Sequence, residues 1–254
     1  AQKIPFVTHD SDSVPGLANR IVSRWATLHA TGMPTEYYSY PKQKTYYVGV
    51  LVGGKYHYVD ENQQSVYRRE LQLPEDGKIL LVTGGSLGAL RLNKAFDSIA
   101  HALLEKFPDL SIVHQVGKGN LTKLPKSDDP RLVKLEFMEG MYRYTGAADV
   151  VVTRAGANTL AELGAQGKAC VVVPNHQLTG GHQLKNADYL LQNNAVLVID
   201  EKSFSKDTSQ LQSAIERLLQ YPVIRFKLAQ TLRSVTKIDA TKELAVLLLK
   251  IGTV

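Results

Sequence analysis

The sequence predicts an α/β fold built on a Rossmann-like, doubly wound parallel sheet. Short apolar runs recur at Ile79–Thr83, Leu110–Gln115, Leu132–Phe137, Asp149–Thr153, Ala169–Val173 and Ala195–Ile199. The runs at Asp149 and Ala169 show no polar alternation, as expected of parallel strands covered on both faces. Between runs lie helical patterns, the clearest with apolar residues three to four apart at Leu92, Ala95, Phe96, Ile99 and Leu103. The stretch ADVVVTRAGANTLAELGAQGKACVVVP reads strand, glycine-containing turn, helix over Thr159–Gln166, strand: a βαβ unit.

Composition sets the outer limits. At 254 residues the chain buries a sizeable core, enough for one large or two small domains. Its single cysteine, Cys170, falls in a core strand, so no disulfide framework and no thiol metal site is expected, and a reducing compartment fits. No apolar run approaches the ~20 residues of a membrane helix. The first residues, AQKIPFVTHD, resemble neither a signal peptide nor a natural start and look cut into a strand. A net charge of +6 suits nucleotides, diphosphates or an acidic lipid surface, although scattered solvated charges explain it equally well. No basic stretch is interleaved with aromatics, so no nucleic-acid partner is expected.

In chain order, Ile4–Thr8 reads as a strand, and a helix follows through Leu17, Ile21, Val22 and Trp25, with Asp12 and Ser13 available as caps. Residues 30–47 are loop-like, Tyr46–Val52 is β-rich, and 53–77 reads as a linker with a short amphipathic helix near Ser65–Leu71. The unit over 78–222 then alternates strand and helix, with a short connection or helix at Met138–Tyr144 and a helix at Leu184–Gln192. Helices at about Thr208–Leu219, Val223–Lys237 and Asp239–Lys250 finish the chain.

Polar clusters sit where strands end, the place ligands occupy in such sheets. Gly84-Gly85-Ser86-Leu87-Gly88-Ala89 joins strand to helix, where glycines admit a phosphate and a helix N-terminus supplies free N–H groups. It lacks the ending of a P-loop and the spacing of a dinucleotide fingerprint, which argues against a nicotinamide dehydrogenase; a ligand-free tight turn is the plain alternative. The turn Gly156-Ala157-Asn158-Thr159 opens a second helix. Glu162 is placed either to accept ribose hydroxyls or to close a capping box with Thr159. Arg154 suits a diphosphate or a neighbouring carboxylate. His176, His182, Gln183, Lys185 and Asn186 form a polar loop suited to sugar hydroxyls, with a solvated helix start as the alternative and no ligand set for a metal. His9, Asp10 and Asp12 are candidate acid–base groups, or parts of a capped helix start.

Together GGSLGA with Arg91-Leu92-Asn93, then FMEGM, AADVVVTRAGANTLAE and the HQLKNA segment resemble the MurG family, and HDSDSVPGLANR followed by YYVGVLV resembles the end of that family's N-terminal domain. The resemblance implies a GT-B-type glycosyltransferase with a complete C-terminal domain and a partial N-terminal one. Residues 1–52 would be the acceptor-side remnant, 78–222 the donor domain, and 223–254 helices returning to the N-terminal part. It implies inverting transfer of N-acetylglucosamine from UDP-N-acetylglucosamine to a polyprenyl-diphosphate glycolipid (lipid I to lipid II), with no cofactor and no metal, on the inner face of the cell membrane. By position, Gly84, Gly85, Ser86 and Gly88 would meet the donor phosphates, supported by Asn93. Phe137, Met138 and Met141 would hold the uracil; Arg154, Gly156, Ala157, Asn158 and Thr159 the diphosphate; Glu162 the ribose; His182 and Gln183 the sugar.

The departures are also specific. The family's H-E-Q-N stands here as His9-Asp10-Ser11-Asp12, its Gln-Gln pair as His182-Gln183, and the arginine of its G-N-P-V-R strand end is missing at Gly49–Gly53. The glycine-rich loops bearing the family's proposed general base have no counterpart. Either the chain is part of a longer protein or a partner supplies the rest, as in a two-part glycosyltransferase; a related transferase with another glycolipid acceptor is the remaining alternative.

Overall fold

The computed structural model describes residues 4–85, 88–177 and 181–252. Six parallel strands, β4 (Lys78–Thr83), β5 (Leu110–Gln115), β6 (Leu132–Leu135), β7 (Val150–Thr153), β8 (Ala169–Val172) and β9 (Leu197–Val198), form one sheet in the order β6-β5-β4-β7-β8-β9. The side chains of β4 explain the uninterrupted apolar runs. Leu80 and Val82 pack on one face under α3 (Leu90–Lys106) and α7 (Ser209–Gln220), in a cluster with Phe96, Ile112 and Leu218. Ile79 and Leu81 pack on the other under α5 (Ala157–Gln166) and α6 (His182–Gln192), with Leu160, Leu163 and Leu190. Both faces of β4 are covered, so from Ile79 to Val82 neither phase of the pleat carries a polar residue.

A second parallel sheet holds β1 (Val7–Asp10), β2 (Leu28–Thr31) and β3 (Thr45–Tyr47) in the order β1-β2-β3. Here the sequence reading needs correction. Leu28–Thr31 is a strand, although residues 30–47 read as loop: LHAT has only one β-branched residue, and pairing on both sides settles its conformation. β3 is short because Gly49, at φ 97°, turns the chain where a Cβ would lie 2.3 Å from Lys237 Cβ. β1 runs past Thr8 to Asp10, so His9 and Asp10 belong to the strand itself.

Two connections tie the sheets together. The helix in the 53–77 segment, α2 (Glu61–Glu70), starts earlier than expected, with Asp60 Oδ1 accepting the Gln63 N–H at 2.8 Å. It docks on α4 (Met141–Ala147) through buried Arg68, which bonds the Ala147 carbonyl (3.2 Å) and Asp149 (2.8 Å). At the other end, α8 (Pro222–Val235) stays against α5 and β8, whereas α9 (Ala240–Gly252) crosses to the small sheet and packs Leu244 and Leu247 on Ala30 and Val48. Among the described residues, no helix is long and apolar enough to cross a membrane.

The α5–α8 contact is close enough to test. A Cβ on Gly164 would meet Thr236 Oγ1 at 2.0 Å and its Cβ at 2.9 Å. Gly164→Ala is expected to lose about 1–3 kcal/mol in urea denaturation through overpacking, while Gly54→Ala, with open space around it, is expected to change little.

Candidate functional site

The large sheet reverses its winding between β4 and β7: the chain goes from β4 outward to β5 and β6, and from β7 outward to β8 and β9. Thr83 lies opposite Thr153 in this central pair, so the turns that follow the two strands leave the same edge side by side. Each opens a helix, α3 or α5, whose first N–H groups have no acceptor within the helix.

The first turn is held from behind. Gly85 and Gly88 have φ of 83° and 72°, and a Cβ on Gly88 would lie 2.1 Å from the Val116 carbonyl. That carbonyl accepts Asn93 Nδ2 at 2.7 Å and Asn120 Nδ2 at 3.0 Å. Asn93, fully buried in the first turn of α3, also bonds His114 Nε2 through Oδ1 at 3.2 Å. It therefore fixes the wall against which Gly88 packs. Burial pushes the His114 imidazole down to about 3, so it stays neutral. Ser86 lies outside the described residues.

The second turn opens directly onto a cleft. Gly156 is the N-cap of α5 with no side-chain cap, and it lines an 810 Å³ cleft together with Ala157, Asn158, Thr159 and His182. Facing them across that cleft are His9, Asp10, Asp12, Asn19 and Arg20, from β1, α1 (Leu17–Val22) and the connection between them. Thus one face is a helix N-terminus and the other a polar strand end. Among the described residues, Gly84, Gly85, Gly88, Phe137, Met138, Met141, Arg154, Glu162 and Gln183 are not part of this lining.

Several side chains are committed elsewhere. Arg154 is buried and outside the cleft lining, paired with Glu201 and donating Nη1 to the Val173 carbonyl at 3.1 Å, so it makes the carboxylate pairing that was one of its two expected roles. Asp10 is not an open acid–base group. Its carboxylate accepts Tyr40 Oη (2.8 Å), Asn19 Nδ2 (2.8 Å) and the Gly16 N–H (3.2 Å), which anchors the start of α1. Asp12 and Ser13 do not cap that helix, whose N-cap is Gly16. Nor does Glu162 close a capping box: α5 begins two residues before Thr159, so the glutamate lies beyond the first turn. Instead the Tyr56 hydroxyl donates to Glu162, while burial pushes its carboxyl up.

Along the uracil candidate segment, Met138 is core, Phe137 is 66% exposed, and Gly140 at φ 70° starts α4 just before Met141. Gln183 accepts the Asn175 N–H at 2.9 Å. His9 donates Nε2 to the Gly49 carbonyl at 2.9 Å, since a carbonyl can only accept; in the neutral ring the basic nitrogen is then Nδ1.

Asn186, read from the sequence as a sugar-binding or solvated loop residue, takes a different part. It is fully buried, not solvated, and joins the two sheets' units. Nδ2 donates to Asp12 Oδ1 (2.8 Å) and to the Ala155 carbonyl (3.1 Å), and Oδ1 accepts the Ser13 N–H (3.0 Å). The signal was periodic: Asn186 shares the inward face of α6 with Ala187 and Leu190.

Comparison with known proteins agrees with this architecture. Residues 79–244 match the glycosyltransferase family 28 C-terminal domain. The chain belongs to that family. Its relatives named UDP-N-acetylglucosamine–N-acetylmuramyl-(pentapeptide) pyrophosphoryl-undecaprenol N-acetylglucosamine transferase include one from Rubrobacter xylanophilus, 31% identical over 98% of this chain and 71% of the relative. Another, from Christiangramia forsetii, is 30% identical over 95% of this chain and 64% of the relative. The family 28 chain thus spans 64%, 60% and 63% of the length of three such relatives. Among solved structures, Acinetobacter baumannii MurG superposes with a TM-score of 0.71 at 23% identity, covering 97% of this chain and 67% of that one. UDP-GlcNAc 2-epimerase from Neisseria meningitidis, bound to UDP-GlcNAc, gives 0.63 at 16%, covering 98% and 70%. The fold is of the GT-B type, with parallel Rossmann-like sheets.

Removing the Asn186 amide strands buried partners on both sides of the junction. Asn186→Ala is expected to cost about 1–3 kcal/mol in chemical denaturation. Adding Asp12→Ala to that variant is expected to cost much less than Asp12→Ala alone, because the shared bond is already gone.

Proposed function

We propose that this chain is the donor-binding part of an inverting glycosyltransferase that moves N-acetylglucosamine from UDP-N-acetylglucosamine to the 4-hydroxyl of a muramyl-pentapeptide diphospho-polyprenol. The observation that carries this reading is the uncapped start of α5 open to a polar cleft, beside a second glycine turn on the neighbouring strand. The names of the family 28 relatives supply the substrates.

In this reading the Gly84–Gly88 turn, with Ser86, and the Gly156–Thr159 turn hold the diphosphate. Asn93 keeps the first turn in place. Phe137 and the backbone through Met141 border the uracil, Glu162 takes the ribose hydroxyls, and His182 and Gln183 flank the sugar. Residues 1–52 with α9 form the acceptor-side lobe, where His9 and Asp12 face the sugar, and 78–222 with α8 form the donor lobe. The acceptor hydroxyl attacks the anomeric carbon from the side opposite UDP, its proton passes to a base on the acceptor side, and the bond to the departing diphosphate breaks. Negative charge gathers on that diphosphate, where helix N-termini stabilise it; a well-placed donor of this kind contributes ~3–4 kcal/mol. Charge is handled by amide dipoles, so the reading calls for no cofactor or metal. The work is placed at the inner face of the cell membrane, where the acceptor's diphosphate head is accessible.

Arg154 enters only as a positioning residue. Its pair with Glu201 and its bond to Val173 brace the ends of β7 and β8 beneath the α5 turn.

Titration calorimetry tests the donor assignment. The folded chain is expected to bind UDP, and Glu162→Gln to weaken it by roughly 10–100-fold through loss of charge-assisted bonds to the ribose. Ribose hydroxyls donate to the ionised carboxylate, whose pKa is raised by burial. Affinity should therefore fall as pH drops through that raised value, and the dependence should vanish in Glu162→Gln. No heat with UDP would remove the donor reading.

A further inference from the structure

A second cavity of 440 Å³ adjoins the cleft and shares Pro15 and Arg20 with it. It lies between the α1 segment and the chain leading into β3, and its walls carry Arg20, Arg24 and Lys44 but no carboxylate. Among the described residues none of these three cations forms an ion pair. Arg24 is held by stacking on Trp25 (4.8 Å) and by a 3.2 Å bond from Nε to the Ile21 carbonyl. One wall is a flat aromatic pair, His29 on Tyr40, with ring centroids 4.1 Å apart. The Tyr40 hydroxyl is already given to Asp10, so that wall offers a ring face rather than a donor. Burial holds the His29 imidazole below its usual range, so the cavity's positive charge comes from the three long side chains.

We propose that this cavity is a second anion subsite, which takes the diphosphate group of the acceptor while the sugar next to it lies in the cleft beside His9. The proposal rests on the donor reading above and adds where the acceptor's charge is neutralised. Unpaired guanidinium and ammonium groups around a concave surface select phosphoryl oxygens. The shared wall at Pro15 and Arg20 lets one ligand occupy both spaces. Two diphosphates, one in each lobe, would then approach the reacting centre from opposite sides.

The test uses inorganic pyrophosphate as probe, titrated into the chain saturated with UDP so that the donor turns are filled. The UDP-loaded protein is expected to take up pyrophosphate, and an Arg24→Gln, Lys44→Gln double variant to bind it roughly tenfold more weakly or worse. UDP affinity is expected to stay unchanged in that variant, which also reports that it folds. UDP binding without pyrophosphate uptake, or equal uptake by the double variant, overturns this proposal and leaves the donor reading intact. Absence of UDP binding strikes the donor reading instead. Phosphatidylglycerol vesicles bound by the wild type and lost in the double variant, with no pyrophosphate heat, would assign the cations to a membrane surface and also overturn it.

Discussion

The parallel pairing of β4 with β7 is the constraint on which the site depends. Parallel strands put all their carboxyl ends on one edge, and reversal of winding between these two leaves a crevice that no crossover helix covers. Two turns are thereby forced to share that crevice, each delivering a helix start with unsatisfied amides. Neither turn needs a charged side chain to attract an anion. This explains why Arg154 can be committed to Glu201 under the turns without cost to the positive character of the site.

The second requirement is that something faces those turns. β1 ends in His9 and Asp10, and the chain beyond it is fastened to the donor side by Asn186. The same amide bonds the Ala155 carbonyl, one residue before the α5 cap. That buried side chain, together with the packing of Ala157 and Ala161 of α5 on Met33, Tyr38 and Val50, sets the distance between the α5 turn and the acceptor-side strand. Asp10 contributes from within its own lobe, holding α1, Asn19 and Tyr40 around one carboxylate. Acidic residues that read as chemistry in the sequence are, in the fold, largely architecture.

What was legible in the sequence follows from what is local. The central strands β4, β7 and β8 were plain because both their faces are buried, which leaves unbroken apolar runs, and the α3 helix because its inward face repeats at the helical period. Motif positions at strand ends were legible for the same reason. The rest depends on contacts distant in sequence. The Arg154–Glu201 pair closes over 47 residues, and Leu28–Thr31 becomes a strand only between its two neighbours. The capping-box pattern at Thr159 was a true local signal overruled by context: the helix starts earlier, at Ala157. Tyr56 came from a stretch read as linker and ends on the Glu162 carboxylate.

Amide chemical shifts followed during titration with UDP-N-acetylglucosamine test the central claim most directly. If the two turns form one diphosphate site, the backbone amides of Gly84, Gly85 and Gly88 and those of Gly156 to Thr159 move together, with the same saturation curve. Movement of one set without the other, or of neither at saturating ligand, would contradict the account.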